Sequence, residues 1–143
     1  MAEATPSKVA PFLMFTGRAE EALKLYLEVF DDAELIATQR HGPDGPGEEG
    51  KIMHATFRIG DQVLMAIDSP PVHAFDFTPS LSLFVTCENE EEIDRLFAAL
   101  SEDGDVMMPL STEYPFAAKY AWLSDRFGVS WQLSLSLGFD GPS

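Results

Sequence analysis

The chain has 143 residues and a hydrophobic content of 45%, enough for one packed domain or two small modules that share a core. Its formal net charge of −15 excludes a nucleic-acid partner and an anionic membrane surface, since both need clustered Lys and Arg. A lone cysteine, Cys87, excludes an internal disulfide, and the lack of a signal peptide and of an apolar stretch approaching the ~20 residues of a membrane span predicts a soluble, cytoplasmic protein.

The first half of the chain predicts a strand, a helix and three further strands. Residues 1–9 are polar and are expected to form a disordered lead. Apolar residues recur at helical spacing from Arg18 to Phe30, and Gly17 can start this helix. The predicted strands are Ala10–Phe15, Glu34–Arg40, Lys51–Ile59 and Gln62–Asp68. A tight turn at Gly60-Asp61 joins the last two strands, and the first module is predicted to span residues 10–68.

The second half predicts the same order of elements. A linker at 69–79 leads to a second module at 80–137, with a tail at 138–143. Asn89 is a good N-cap for the second helix, with Glu92 as its capping-box partner and Gly104 at its end. The predicted buried residues of this helix are Ile93, Leu96, Phe97 and Leu100. The predicted strands are Ser80–Cys87, Asp105–Leu110, Ala118–Ser124 and Val129–Leu135.

Each half therefore reads β-α-β-β-β, which predicts an α+β fold built from tandem modules. The hairpin Lys119–Leu135 turns at residues 125–128 and has a weaker echo at Met53–Ile67. In the turn, Arg126 is expected to bond Asp125 or a backbone carbonyl. The linker carries aromatic residues, which predict either packing over a cavity mouth or subunit partner, or a plain connector.

The tandem repeat, together with three sequence segments, resembles the vicinal-oxygen-chelate superfamily of glyoxalase I, extradiol dioxygenases and bleomycin-resistance proteins. The segments are residues 11–26, residues 53–57 and the 119–133 hairpin. Within the superfamily the chain is most similar to the PhnB-like branch, often labelled 3-demethylubiquinone-9 3-methyltransferase-like. The resemblance implies a curled mixed sheet around a ligand cavity and a homodimer.

The resemblance also implies where a divalent metal would be held in the catalytic branches. Carried over by the repeat, those positions are Pro11, Met65, Ser80 and Gln132. Of these, Gln132 alone has a side chain suited to such a metal. The expectation is therefore that the protein holds no metal and no other cofactor at these positions. An alternative metal site would use His54 with Asp68 and Glu113.

Strand alternation predicts which side chains line the cavity. On the last strand Ser130, Gln132 and Ser134 share one face, while Trp131 and Leu133 share the other and should pack under the helices. The candidate ligand-binding residues are His54, Thr56, Ser80, Ser82, Trp122 and Gln132. Hydroxyls, an amide, an imidazole and aromatic rings suit a small, partly aromatic ligand.

Two functions remain open from the sequence. The first is a metal-free protein that binds a small organic molecule, by sequestration or with a mild chemistry. The alternative is a metal-dependent isomerase, lyase or dioxygenase with a relocated site. Methyl transfer is discounted, because the turn between Phe15 and Ala19 contains one glycine, Gly17, and lacks the Gly-rich turn of the usual cofactor-binding fold. A pure interaction module would instead have a closed, filled interior.

Overall fold

The structure, a computed structural model, describes residues 7–45, 47–70 and 72–137. Its elements are β1 (Phe12–Phe15), α1 (Ala19–Val29), β2 (Ala33–Arg40), β3 (Ile52–Ile59), β4 (Gln62–Asp68), β5 (Ser82–Cys87), α2 (Glu90–Ser101), β6 (Asp105–Ser111), β7 (Lys119–Ser124) and β8 (Ser130–Leu135). This order confirms the predicted α+β fold. The chain divides into two units between Ala74 and Phe75, inside the predicted linker. The predicted tail at 138–143 lies outside the described residues.

Each unit contains one four-stranded mixed sheet that does not close on itself. The first sheet has the order β1-β4-β3-β2, and the second has the equivalent order β5-β8-β7-β6. In both, the first strand runs parallel to the last, and the remaining neighbours are antiparallel. A parallel pair needs a crossover connection. In the first unit α1, β2 and β3 supply it, and in the second unit α2, β6 and β7 do.

The helix α1 packs one apolar stripe against the first sheet, as its spacing predicts. The fully or nearly fully buried residues are Ala19, Ala22, Leu23, Tyr26, Val29 and the adjoining Phe30. Opposite them lie Leu13, Ala55, Phe57, Leu64 and Ala66. Leu27, which also lies at helical spacing, is only half-buried, whereas Val29 is buried.

A carboxylate from β4 replaces the missing N-cap of α1. The N-cap residue Arg18 makes no side-chain cap bond. Instead Asp68, only 6% exposed, accepts hydrogen bonds from the backbone N–H groups of Gly17 at 2.8 Å and Ala19 at 2.9 Å. It also accepts one from Ile52 N at 3.3 Å. An anion at this end is stabilised by the helix dipole, so Asp68 is a tertiary cap.

The helix α2 begins as predicted. Asn89 accepts a hydrogen bond from Glu92 N at 2.8 Å, and the Glu92 carboxylate accepts one from Glu88 N at 2.7 Å. The reciprocal bond therefore goes to Glu88 rather than to the N-cap itself. Ile93, Leu96 and Leu100 are completely buried, whereas Phe97, predicted with them, is half-buried.

The end of α2 differs from the prediction in its chemistry. The residue with left-handed backbone is Asp103, at φ 61°, and not Gly104. Gly104 is needed for another reason: a Cβ at this position would overlap the carbonyl oxygen of Ser124. Position 104 therefore has to be a glycine because the backbone of the following hairpin passes against it.

The 125–128 turn is built around a second buried carboxylate. Asp125 is 3% exposed, and its Oδ1 accepts from Phe127 N at 2.9 Å and Val129 N at 3.1 Å. Its Oδ2 accepts from the indole Nε1 of Trp131 at 2.9 Å. Gly128 has φ 98°, as expected of a glycine in this turn. The carboxylate thus joins the turn to a core aromatic residue.

Arg126 in the same turn contacts the end of α2. Its Nη2 reaches the carbonyl of Ala99 and the carboxylate of Glu102, each at 3.5 Å. Of the two predicted partners of Arg126, Asp125 or a backbone carbonyl, the structure shows a backbone carbonyl. Phe77, from the segment predicted to be a linker, packs on this turn. Its side chain would lie 3.5 Å from a Cβ added at Gly128.

Two strands begin two residues later in the structure than the sequence predicts. Strand β1 begins at Phe12 rather than Ala10, because Pro11 has no N–H to donate and contributes only its carbonyl, to Met65 N at 2.9 Å. Strand β5 begins at Ser82 rather than Ser80, because Leu81 N closes a turn onto the carbonyl of Thr78 at 3.3 Å. The other strand bounds differ by at most one residue.

Candidate functional site

The second sheet has one face covered by α2 and one face free of it. The side chain of Lys119 on β7 lies on the face covered by α2, because its Nζ contacts Asp94 on α2 at 2.6 Å. Residues that alternate with it must point the other way. We call that side the helix-free face; it consists of Ser82, Phe84, Thr86, Tyr120, Trp122, Ser124, Ser130, Gln132 and Ser134. The alternation predicted for β8 is confirmed, since Trp131 and Leu133 are buried on the covered side.

Two of the candidate ligand-binding residues, Ser82 and Trp122, form a hydrogen-bonded cluster with Ser130 on this face. Ser82 Oγ lies 2.6 Å from Ser130 Oγ, and the Trp122 Nε1 donates to Ser130 Oγ at 2.9 Å. Ser130 is 2% exposed, so its hydroxyl is satisfied by these protein groups. The structure thus brings Ser82 and Trp122 together through Ser130.

A second pair lies beside this cluster. The phenol of Tyr120 donates to Gln132 Oε1 at 2.6 Å. Tyr120 is 5% exposed, and this burial raises its pKa, with a further contribution from the nearby Tyr114. The phenol therefore stays protonated as a donor across the ordinary pH range. Because the Gln132 oxygen is occupied, its Nε2 is the group left to donate, and no acceptor for it lies within the described part of the chain.

The helix-free face carries little charge, and no Lys or Arg side chain belongs to it. The basic residues of the second unit are Arg95 on α2, Lys119, which bonds α2, and Arg126, which bonds the end of α2. None of them belongs to the helix-free face. Asp105 pairs with Ser124 at the outer edge of the same sheet and is exposed. A surface of this kind does not attract anions.

In the first unit, His54 and Thr56 occupy the corresponding helix-free side of their sheet. Thr56 pairs with Met65, and Met65 pairs with Phe12 on β1. The rings of His54 and Phe12 have centroids 6.2 Å apart at an interplanar angle of 37°. His54 is half-buried and Phe12 is 54% exposed. The same side of the first sheet also carries Arg58, which is ion-paired with Glu34 at 2.9 Å.

Ser80 does not join the other predicted residues. It lies in an exposed turn before β5, with its Oγ 3.4 Å from Thr78 Oγ1. The strand register places Ser82, not Ser80, opposite Ser130. The prediction that Ser80 is a strand residue is therefore wrong, and its side chain is part of a turn.

The residues at the carried-over metal positions do not fit a divalent metal. The register pairs Met65 with Phe12 rather than with the predicted Pro11. It pairs Gln132 with Phe84 rather than with the predicted Ser80. A phenyl ring has no donor, a thioether is a poor ligand for hard metals, and the Gln132 oxygen already accepts from Tyr120. Among the described residues, no three His, Cys, Asp or Glu side chains are grouped to hold a metal.

The alternative site with His54 and Asp68 is not assembled either. Ala55 pairs with Ala66 on the α1 side of the first sheet, so Asp68 also lies on that side and His54 on the opposite one. The Asp68 oxygens are taken up by three backbone N–H groups. The spacing of residues along the sequence did not predict these hydrogen bonds, because it does not show which groups a carboxylate at a strand end will contact.

Sequence reasoning missed an aromatic cluster next to Gln132. Tyr114 and Phe116, in the segment between β6 and β7, pack their rings against Tyr120. A possible signal was the Tyr-Pro-Phe run at 114–116, which is unusually aromatic for a loop.

A family model described as 3-demethylubiquinone-9 3-methyltransferase matches residues 7–134. The chain belongs to this family. The PhnB protein of Bacillus cereus, whose description names the same methyltransferase, is 51% identical, with 91% of this chain and 100% of that chain covered and a TM-score of 0.87. Protein PA1353 from Pseudomonas aeruginosa is 33% identical over 91% of this chain and 98% of its own, with a TM-score of 0.79. The predicted PhnB-like family is confirmed.

More distant structures share the fold of the family. The fosfomycin resistance protein FosX from Listeria monocytogenes is 10% identical, with 94% of this chain and 96% of that chain covered and a TM-score of 0.59. No curated protein sequence matches the chain significantly. Neither α1 nor α2, nor any other helix in the described ranges, combines the length and the apolar character of a membrane span.

Proposed function

We propose that this protein binds a small, partly aromatic organic molecule on the helix-free face of the second sheet, without a metal. The observation that carries the proposal is the side-chain network of Ser82, Ser130, Trp122, Tyr120 and Gln132. A few convergent polar side chains beside apolar and aromatic surface are typical of ligand sites, where fixed groups orient an otherwise apolar molecule. Phe84, 60% exposed, adds apolar surface to the same face.

The network is preorganised for binding. Trp122 and Ser82 both contact Ser130, and Tyr120 holds the Gln132 oxygen, so these side chains lose little rotamer freedom when a ligand arrives. The free Gln132 Nε2 is the group that supplies a directional bond. The candidates His54 and Thr56 belong to the first unit and stay predictions from the sequence, and Ser80 is not retained.

We propose further that methyl transfer, which the family description names, is not the activity. The turn into α1 contains Gly17, and its N–H is bonded to Asp68 rather than being free to meet a cofactor. The placement in the vicinal-oxygen-chelate superfamily stays part of this proposal, and the fold shared with FosX supports it. The homodimer and the cytoplasmic location implied by the sequence remain predictions.

Native mass spectrometry of freshly purified protein tests the proposal, with elemental analysis of the same sample. We expect a co-purified organic molecule and less than one equivalent of transition metal per chain. Gln132→Leu should lower the occupancy of that molecule, because it removes the Nε2 donor. Gln62→Leu is the matched control, since Gln62 is exposed on β4 of the first unit and its amide bonds Val63 O.

Two results would contradict the proposal. Stoichiometric Zn, Ni, Mn or Fe retained through dialysis against a weak chelator would favour the metal-dependent isomerase, lyase or dioxygenase. Equal occupancy in wild type and Gln132→Leu would show that the molecule binds elsewhere. The same spectra report the oligomeric state and so test the predicted homodimer.

A further inference from the structure

Three aromatic rings form a compact cluster at one end of the helix-free face, which we call the aromatic corner: Tyr114, Phe116 and Tyr120. Tyr114 and Phe116 stack with centroids 5.5 Å apart and an interplanar angle of 23°. Tyr120 meets both edge-on at 83°, at 5.5 Å from Tyr114 and 4.8 Å from Phe116. These are favourable aromatic geometries, so the corner is a rigid surface.

The segment that carries Tyr114 and Phe116 is held at several points. The Tyr114 hydroxyl donates to the carbonyl of Pro109 at 2.7 Å, and Glu113 N donates to Ser111 Oγ at 3.0 Å. At the other end Ala118 N donates to the carbonyl of Leu135 at 2.8 Å. The segment is therefore anchored on both sides of the two rings.

Phe116 is the exposed member of the corner. Tyr120 is 5% exposed, whereas Phe116 is 55% exposed although two partner rings lie against it. A phenyl ring that is held by two partner rings and keeps half of its surface in water offers apolar contact area to a ligand. Because no residue of this face is basic, the surface favours an uncharged partner over an anion.

The corner and the free amide are within reach of one small molecule. Tyr120 connects them, since its ring packs on Phe116 and its hydroxyl bonds Gln132. With an ordinary phenol geometry, the Phe116 ring centre is at most about 10 Å from Gln132 Oε1 and at most about 12 Å from its Nε2. This is the length of a two-ring aromatic molecule with one polar substituent.

We infer that the ligand is a planar aromatic molecule with a hydrogen-bond acceptor, such as a carbonyl or ring nitrogen, and no anionic group. Its ring would stack on Phe116 and its acceptor would receive the Gln132 Nε2–H bond. This inference rests on the proposed function and narrows it to one ligand class. It also gives the aromatic corner a role in specificity.

The test compares three naphthalene probes that differ in one substituent: 2-acetylnaphthalene, 2-ethylnaphthalene and 2-naphthoate. Affinities are measured by ligand-observed NMR titration of the wild-type protein. We expect 2-acetylnaphthalene to bind about tenfold more tightly than 2-ethylnaphthalene, which has no acceptor, because one hydrogen bond is lost. The anion 2-naphthoate should bind at least as weakly as the ethyl compound.

Variants test whether the ring of the ligand contacts Phe116 and whether its acceptor contacts Gln132. Phe116→Ala should weaken both uncharged probes by about tenfold. Phe116→Leu keeps apolar bulk and should recover only part of this loss if stacking matters. Gln132→Leu should abolish the preference for the acetyl over the ethyl probe. Val106→Ala is the control, since Val106 is 45% exposed but pairs with Leu123, on the face covered by α2.

The results that overturn the inference differ from those that overturn the proposed function. Equal affinities for the three probes, or affinities unchanged by Phe116→Ala, would refute the ligand class while a co-purified molecule lost in Gln132→Leu would still support the site. Binding of 2-naphthoate alone would refute the exclusion of anions. No binding of any probe would also refute the ligand class, and the co-purification experiment would then decide the proposed function separately.

Discussion

The buried contact between Asp125 and Trp131 gives the sharpest test of the fold. Asp125→Asn keeps an oxygen for the two turn N–H groups that Oδ1 accepts. At the Oδ2 position it places an NH₂ group 2.9 Å from the indole N–H of Trp131. Two donors then face each other in a site where the aspartate is 3% exposed and the tryptophan 1% exposed.

The expected loss follows from that geometry. A hydrogen bond to a charged acceptor is worth about 1.5–3 kcal/mol, and a buried donor left without a partner costs about 1–3 kcal/mol. We therefore expect Asp125→Asn to lower the free energy of unfolding by about 3 kcal/mol. Trp131→Phe should cost about 3 kcal/mol as well, because it removes ring volume from the core and leaves the carboxylate oxygen without this donor.

The double variant separates this contact from general damage. With phenylalanine at 131, the asparagine NH₂ no longer faces another donor. The double variant should therefore lose about 1–2 kcal/mol less than the two single losses together. Urea unfolding followed by far-ultraviolet circular dichroism measures all four proteins, since fluorescence changes when Trp131 is replaced. The denaturant dependence of the unfolding free energy should stay constant across the set.

A control cycle combines Trp131→Phe with Asp61→Asn, an exposed residue in the turn of the other unit. That pair should be additive within about 0.5 kcal/mol. The reasoning about Asp125 is refuted if the first cycle is also additive while both single variants are destabilised. It is equally refuted if Asp125→Asn is neutral.

Three further predictions concern positions outside the site. Gly104→Ala should destabilise the protein by about 1–3 kcal/mol because the new Cβ meets Ser124 O, whereas Gly42→Ala, with nothing within 4 Å, should change thermal unfolding little. Asn89→Ala should cost about 1 kcal/mol in urea unfolding by removing the cap of α2, and a neutral effect would contradict that role. Burial raises the pKa of the Cys87 thiol to about 12, with a further contribution from Glu92. At pH 8 a thiol reagent should therefore label the native protein about a hundredfold more slowly than the urea-unfolded protein, and fast native labelling would contradict this.

The pH dependence that follows from Cys87 has a definite sign. Its pKa is raised in the folded protein above the ordinary value near 9, so folding favours the neutral thiol. This contribution to stability is fully present below about pH 9 and is lost as the pH rises towards 12. Tyr120, whose pKa is also raised by burial, acts in the same direction. Replacing Cys87 with Ala should therefore flatten the alkaline loss of unfolding free energy.

The elements were predictable because their signals are local. Apolar spacing located both helices, and the glycine turns located the hairpins at Gly60 and Gly128. Strand alternation correctly placed Ser82, Trp122 and Gln132 on one face, because successive side chains point to opposite sides of any sheet. Ser80 was misplaced because the strand start depends on a turn that Thr78 closes, and propensity does not reveal it.

The sequence by itself determined the tandem β-α-β-β-β order, the family and the polar character of one sheet face, since each depends on residues a few positions apart or on the repeat. The tertiary structure decided what the buried carboxylates do. Asp68 caps a helix whose N–H donor is 49 residues away, on the side of the sheet opposite to His54. Tertiary packing also brought Tyr114 and Phe116 onto Tyr120 beside Gln132. Such contacts join groups from different elements, and local periodicity carries no information about which of them will meet.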